Sequence, residues 1–167
     1  MIEIIIFDAD IISMFAKAGA VDVLIETLSK FRLCITPRIK DEISVPLQFG
    51  YSFPIIIFNK LELIFPTEEE SSLYQTYHKV NLTLGKGELE AISIAKCRKC
   101  IFAANDRKAL EFAVNEGLTV VNVHSILKVM LKKEILNVKE LKDLIKKIEE
   151  ADNTRILEKD MIFEDMD

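Results

Sequence analysis

The chain has 167 residues, 50% hydrophobic, 8% aromatic and 29% charged, with 22 basic against 27 acidic side chains and a net charge of −5. This is the length of one domain, and its apolar content builds a core and excludes intrinsic disorder. The acidic balance excludes bulk coating of nucleic acid; a nucleic-acid partner then needs local contacts, or cations that bridge carboxylates to phosphates.

In chain order, Ile4-Ile5-Ile6-Phe7 is a β-branched run that predicts a strand buried on both faces, in mid-sheet, ending at Asp8. Val21, Leu24, Ile25 and Leu28 recur at helical spacing, and Leu33 to Thr36 reads as a second strand closed by Pro37. Arg38 to Ser44 reads as a short helix broken by Pro46, Tyr51 to Pro54 as a loop, and Ile55 to Phe58 as either strand or helix. Leu61 to Phe65 is a candidate third strand. Thr67 and Glu70 form a capping-box pair for a helix running to about His78. Gly85-Lys86-Gly87 punctuates the chain before a helix from Glu88 to Lys96, and Ile101 to Ala104 is a strand ended by Asn105-Asp106. A helix from Arg107 to Glu116 stops at Gly117, Leu118 to Val121 is a strand, and helices around Ile126–Leu131 and Val138–Ile148 follow. Strands alternating with helices imply βαβ units, a central parallel sheet and an α/β fold. The stretch from Asp152 to Asp167 is acidic with interspersed apolar residues, and reads equally as a tail, a docked extension or a partner-binding peptide.

In an open parallel sheet, ligands bind outside the carboxyl ends of the strands. The residues there are acidic: Asp8, Asp106, Glu42 a few residues past Thr36, and Glu88 with Glu90 at the start of the helix after the glycines. Crowded carboxylates raise one another's pKa unless a cation sits among them, and oxygen ligands suit Mg²⁺ or Mn²⁺. Each acid also has an ordinary reading. Asp8 and Asp106 stand where helix caps stand, Glu42 can be an exposed helical glutamate, and Glu88 and Glu90 can complement the helix dipole. Residues two apart on a helix face nearly opposite sides, so one of Glu88 and Glu90 faces the site and the other supports it. Spacing leaves that choice open.

The ordered set Ile4-Ile5-Ile6-Phe7-Asp8, Thr36-Pro37 with Glu42, Gly85-Lys86-Gly87-Glu88-Leu89-Glu90-Ala91-Ile92 and Ala104-Asn105-Asp106 resembles the PIN-domain nucleases over about residues 2–131. The resemblance implies a three-layer α/β/α sandwich and Mg²⁺- or Mn²⁺-dependent hydrolysis of RNA by an in-line water that leaves a 5′-phosphate. It further implies a homodimer and, as in small VapC-like ribonuclease toxins, an antitoxin partner. By residue it implies catalytic roles for Asp8, Glu42, Glu90 and Asp106, with Asp8, Glu88, Glu90 and Asp106 toward metal. Lys86, Arg107 and Lys108 flank these positions as nucleic-acid contacts. On this reading residues 1–150 are the nuclease domain and 151–167 an acidic tail. The sequence departs from the family where Ala9-Asp10 follow the first aspartate in place of hydroxyl or amide residues, and where Val121-Asn122-Val123-His124-Ser125 replaces a Gly-Thr turn.

Two other readings remain. A buried strand followed by Asp8-Ala9-Asp10 resembles the opening of haloacid-dehalogenase-type phosphatases, with Asp8 as nucleophile, although Ile11 and Ile12 stand where that family has Gly and Thr. The chain also reads as an inactive PIN-like module that binds RNA or protein. Cys34, Cys97 and Cys100 are too few for a disulfide scaffold and, with no basic leader and no apolar run near 20 residues, point to a cytoplasmic protein without a membrane span. Cys97 and Cys100 lack a second ligand pair and read as ordinary thiols, and Tyr74 and Tyr77 read as packing groups.

Overall fold

The computed structural model describes residues 1–164, so the last three residues of the acidic tail lie outside the described residues. A parallel five-stranded sheet in the order β3-β2-β1-β4-β5 is flanked by helices. The three-layer α/β/α expectation holds. β1 (Ile4–Phe7) is central, between β2 (Arg32–Ile35) and β4 (Ile101–Ala103), and its apolar run is buried on both faces as the sequence predicts. β3 (Glu62–Leu63) and β5 (Val120–Val121) are two-residue edge strands, shorter than the runs 61–65 and 118–121 suggest, because an edge strand has a partner on one side only.

Sequence periodicity missed α1 (Ala9–Lys17), which follows β1 without a loop. Its buried residues Ile11, Ile12, Phe15 and Ala16 do recur at helical spacing, and it packs on α2 (Val21–Thr27), α3 (Pro37–Ser44) and α4 (Phe53–Lys60). The expected loop at 51–54 ends in α4 instead: Pro54 stands in its first turn, where a missing N–H costs nothing, and Ile55 to Phe58 is helical. Between α3 and α4 a 3₁₀ turn, Val45–Phe49, carries Pro46 near its start.

α5 (Glu68–Val80) starts with the predicted capping box, Thr67 N donating to Glu70 Oε2 at 2.8 Å and Glu70 N to Thr67 Oγ1 at 3.2 Å. It packs on α6 (Lys86–Arg98), burying Tyr74 and Tyr77 as packing groups. α7 (Arg107–Asn115) ends at Gly117, whose φ of 83° suits a residue without Cβ. α8 (Val123–Lys132) and α9 (Val138–Ala151) complete the layers, and beyond α9 the chain forms a 3₁₀ turn, Lys159–Ile162, against α8. Among the described residues no helix is long and apolar enough to cross a membrane.

Candidate metal centre at the carboxyl edge of the sheet

The strand register decides what meets at the sheet edge. Pairing of Ile6 with Cys34 and of Phe7 with Ala103 carries Asp8 level with Thr36 on one side and Ala104 on the other. Asp8 N donates to Ala103 O at 2.8 Å, which fixes the backbone. Asp8 then occupies the N-cap position of α1, but its side chain makes no capping bond. The carboxyl is 2% exposed and Oδ1 has no hydrogen-bond partner. Thr36 Oγ1, at the end of the neighbouring strand, is likewise buried without a partner. Satisfied buried polar atoms are the rule, so two unsatisfied oxygens at adjacent strand ends mark a site.

Electrostatics show which acids surround Asp8. Burial, and then the negative charges of Glu88, Asp10 and Glu42, push its pKa from 3.8 up to about 8, against a partial opposing pull from the Ala9 amide. Glu88 is raised by burial and then by Asp106, Asp10 and Glu42, while the Gly85 amide pulls it down. Glu42 is raised by burial and by Asp10 and Glu90, with the Gly87 amide acting in the other direction. Asp8, Asp10, Glu42, Glu88 and Asp106 therefore share one field.

The second oxygens of this group are held by helix amides. Gly85 N donates to Glu88 Oε2 at 2.9 Å, Gly87 N to Glu42 Oε1 at 3.2 Å, and Ala109 N to Asp106 Oδ1 at 2.9 Å. Glu42 and Glu88 thus sit at the positive end of α6, and Asp106 caps α7. Among the described residues no three Asp, Glu, His or Cys side chains close into a group that could hold an ion. Of the expected ligands, Glu88 acts on Asp8 and Asp106 on Glu88, each with one oxygen on a helix amide, while Glu90 is not among the charges that act on Asp8.

Glu90 stands apart. It accepts from Arg38 N at 3.0 Å and its Oε2 lies 3.2 Å from Arg38 Nε, while the Arg38 guanidinium stacks 4.4 Å from the Tyr74 ring centre. The helix geometry that separates positions two apart puts Glu88 beside Asp106 and sends Glu90 to the start of α3. Of the expected nucleic-acid contacts, Lys86 and Lys108 are exposed and Arg107 is tied to Glu111 at 2.7 Å.

Sequence reasoning passed over three neighbours of the site. Asp10 enters the sequence reading as a departure from the family and as part of the phosphatase-like opening, yet its charge bears on Asp8, Glu42 and Glu88. Its one signal was a second acid two residues from Asp8. Thr36 enters that reading as the end of a strand and as part of the Thr36-Pro37 motif, without a role at the site. Asn105 accepts from Val123 N at 3.0 Å and so ties the end of β4 to α8, a contact without local signature. The three cysteines are free, Cys34 and Cys100 being buried.

Comparison with known proteins agrees with this fold. A family profile described as a PIN domain, DUF3368, matches residues 4–161. No curated protein matches the sequence. Among solved structures, VapBC-1 from nontypeable Haemophilus influenzae is 16% identical with a TM-score of 0.54, over 71% of this chain and 97% of that one. VapBC2 from Rickettsia felis, bound to a DNA fragment from their promoter, is 18% identical with a TM-score of 0.55, over 71% and 98%. A PilT N-terminus domain protein from the archaeon Sulfolobus solfataricus P2 is 14% identical with a TM-score of 0.53, over 77% and 94%. The shared fold and the profile match over most of the sequence place this chain in the PIN-domain family.

Proposed function

We propose that the chain is a Mg²⁺- or Mn²⁺-dependent endoribonuclease that hydrolyses phosphodiester bonds of RNA, and that it acts as the toxin of a toxin–antitoxin pair. The observation that carries this reading is Asp8, a carboxylate sealed from solvent with one oxygen unpaired and its ionisation opposed by burial and by three neighbouring acids. Such an arrangement destabilises a fold and is retained where chemistry requires it.

The donor set fits a hard divalent ion, being all oxygen and carrying more negative charge than local cations offset. Asp8, Glu88 and Asp106 would hold it. The chemistry supplied by such an ion is Lewis-acid activation of phosphate and water. Glu42, oriented by Gly87 N, and Asp10 at the rim accept hydrogen bonds from the attacking water. Glu90 acts through Arg38 and is a positioning residue rather than a ligand. The N-terminal amides of α6 and α7 hold Glu88, Glu42 and Asp106 in place at this edge. Lys86, Arg107 and Lys108 flank the path of the strand.

A protein partner, either an antitoxin or the second copy of a homodimer, is supported by Val45, Leu47, Phe49, Tyr51, Ile55 and Ile56, which stand exposed through the 3₁₀ turn and α4. The family match favours the nuclease over the phosphatase reading of Asp8.

The test is cleavage of single-stranded RNA in Mg²⁺ or Mn²⁺ by wild type, Asp8→Asn and Asp106→Asn. Wild-type cleavage that stops with EDTA and is lost in both variants is expected, and preserved cleavage in both rejects the assignment. A beryllofluoride adduct on Asp8 would favour the phosphatase. No Mn²⁺ binding at millimolar concentration in calorimetry would leave an inactive binding module.

A further inference from the structure

The segment after α9 takes no part in the carboxylate chemistry, yet it is built into the fold. Asp152 pairs with Lys17 of α1 at 2.6 Å. Ile156 N donates to Glu149 Oε1 at 3.0 Å, and Lys159 Nζ reaches both oxygens of Glu149 at 3.0 Å. The Leu157 carbonyl meets His124 Nε2 of α8. Ile156 and Ile162, 4% and 2% exposed, are buried in the core. These anchors from α1, α8 and α9 give the intervening residues a fixed position.

That position is one side of a cleft of about 700 Å³. Asn153, Thr154 and Arg155 line it on the C-terminal side, while Asp10, Glu42 and Asn105 line it on the side of the carboxylate site. Its cations are Lys17 and Arg155, and Lys17 is engaged by Asp152. Arg155 is exposed and forms neither hydrogen bond nor ion pair with any described residue; its charge reaches Glu149, which Lys159 already holds. A polyanion entering a cleft walled by Asp10 and Glu42 is repelled unless a cation offsets that field. An unengaged guanidinium across the cleft supplies one, in a fork that matches two phosphate oxygens.

We propose that residues 152–157 are a wall of the substrate cleft and that Arg155 on this wall binds the phosphodiester backbone of the RNA strand passing Asp10 and Glu42. The assignment rests on the ribonuclease reading of the same site and adds to Lys86, Arg107 and Lys108 a contact on the C-terminal side.

The test is steady-state cleavage of a fluorescent single-stranded RNA by the full chain in Mn²⁺ over a series of salt concentrations. Arg155→Ala should raise KM about 5- to 20-fold and lower the slope of log(kcat/KM) against log salt by about one, the signature of one lost phosphate contact. Arg155→Lys should recover part of the loss and Arg155→Glu should deepen it. Lys139→Ala, near the opposite end of α9, should match wild type. If wild type cleaves and Arg155→Ala keeps its KM and salt slope, the wall assignment falls and the nuclease reading stands. If wild type cleaves nothing, both fall.

Discussion

Glu42 Oε1 accepts a hydrogen bond from Gly87 N at 3.2 Å, and Gly87 is the position at which any Cβ would land inside the van der Waals shell of that same oxygen, 3.2 Å from Ile39 Cγ1. The glycine lets the carboxylate of α3 reach the N-terminus of α6. Gly87→Ala should therefore displace Glu42 and lower cleavage by about 10- to 100-fold, the usual effect of a misplacement near 1 Å. Helix propensity favours alanine by up to about 1 kcal/mol, so thermal melting should change little. Comparison of kcat/KM with Tm checks this, and a matching collapse of both would reject it.

The ion-free protein should lose stability with rising pH through Asp8. Its pKa is raised from 3.8 to about 8, chiefly by burial and then by Glu88 and Asp10, so between those values the folded state holds a proton that the unfolded chain releases. The stabilising contribution is complete below 3.8 and is lost as pH climbs toward about 8. Urea melts in EDTA at pH 5 and pH 8.5 should differ less for Asp8→Asn than for wild type, and at the higher pH the variant should be more stable by about 1–3 kcal/mol. Equal pH dependence in both proteins would show that Asp8 is not the source.

Glu88 and Glu90 should separate by phenotype. Glu88→Gln should weaken Mn²⁺ binding and cut cleavage while Tm holds, because Glu88 faces the field of Asp106 and Asp10. Glu90→Gln should instead cost about 1 kcal/mol of stability, by weakening the half-exposed Arg38 pair. Calorimetric titration alongside melting reads both effects, and Mn²⁺ affinity lost mainly in Glu90→Gln would invert the assignment.

The exposed apolar run should govern association. Phe49→Glu with Ile55→Glu, both at exposed positions, should shift a dimer toward monomer in light scattering without lowering Tm. An unchanged mass would move the interface elsewhere on the molecule.

The sequence by itself determined the architecture, because its signals are local. The Ile4–Phe7 run, the Thr67–Glu70 capping box and Gly117 each act through neighbours a few residues away, and each stands where its pattern implies. It also named the acids, since strand ends can be read from where apolar runs stop. The sequence did not reveal α1 or the use of Pro54 inside α4, where tertiary burial overrides weak local punctuation. Nor could it choose between Glu88 and Glu90, or tell Asp8 as a bare carboxylate from Asp106 as an ordinary cap. Those distinctions depend on which amide, guanidinium or carboxylate a side chain meets across the sheet edge. Contacts such as Glu42 with Gly87 and Asp152 with Lys17 join residues far apart in the chain, and only folding brings them together.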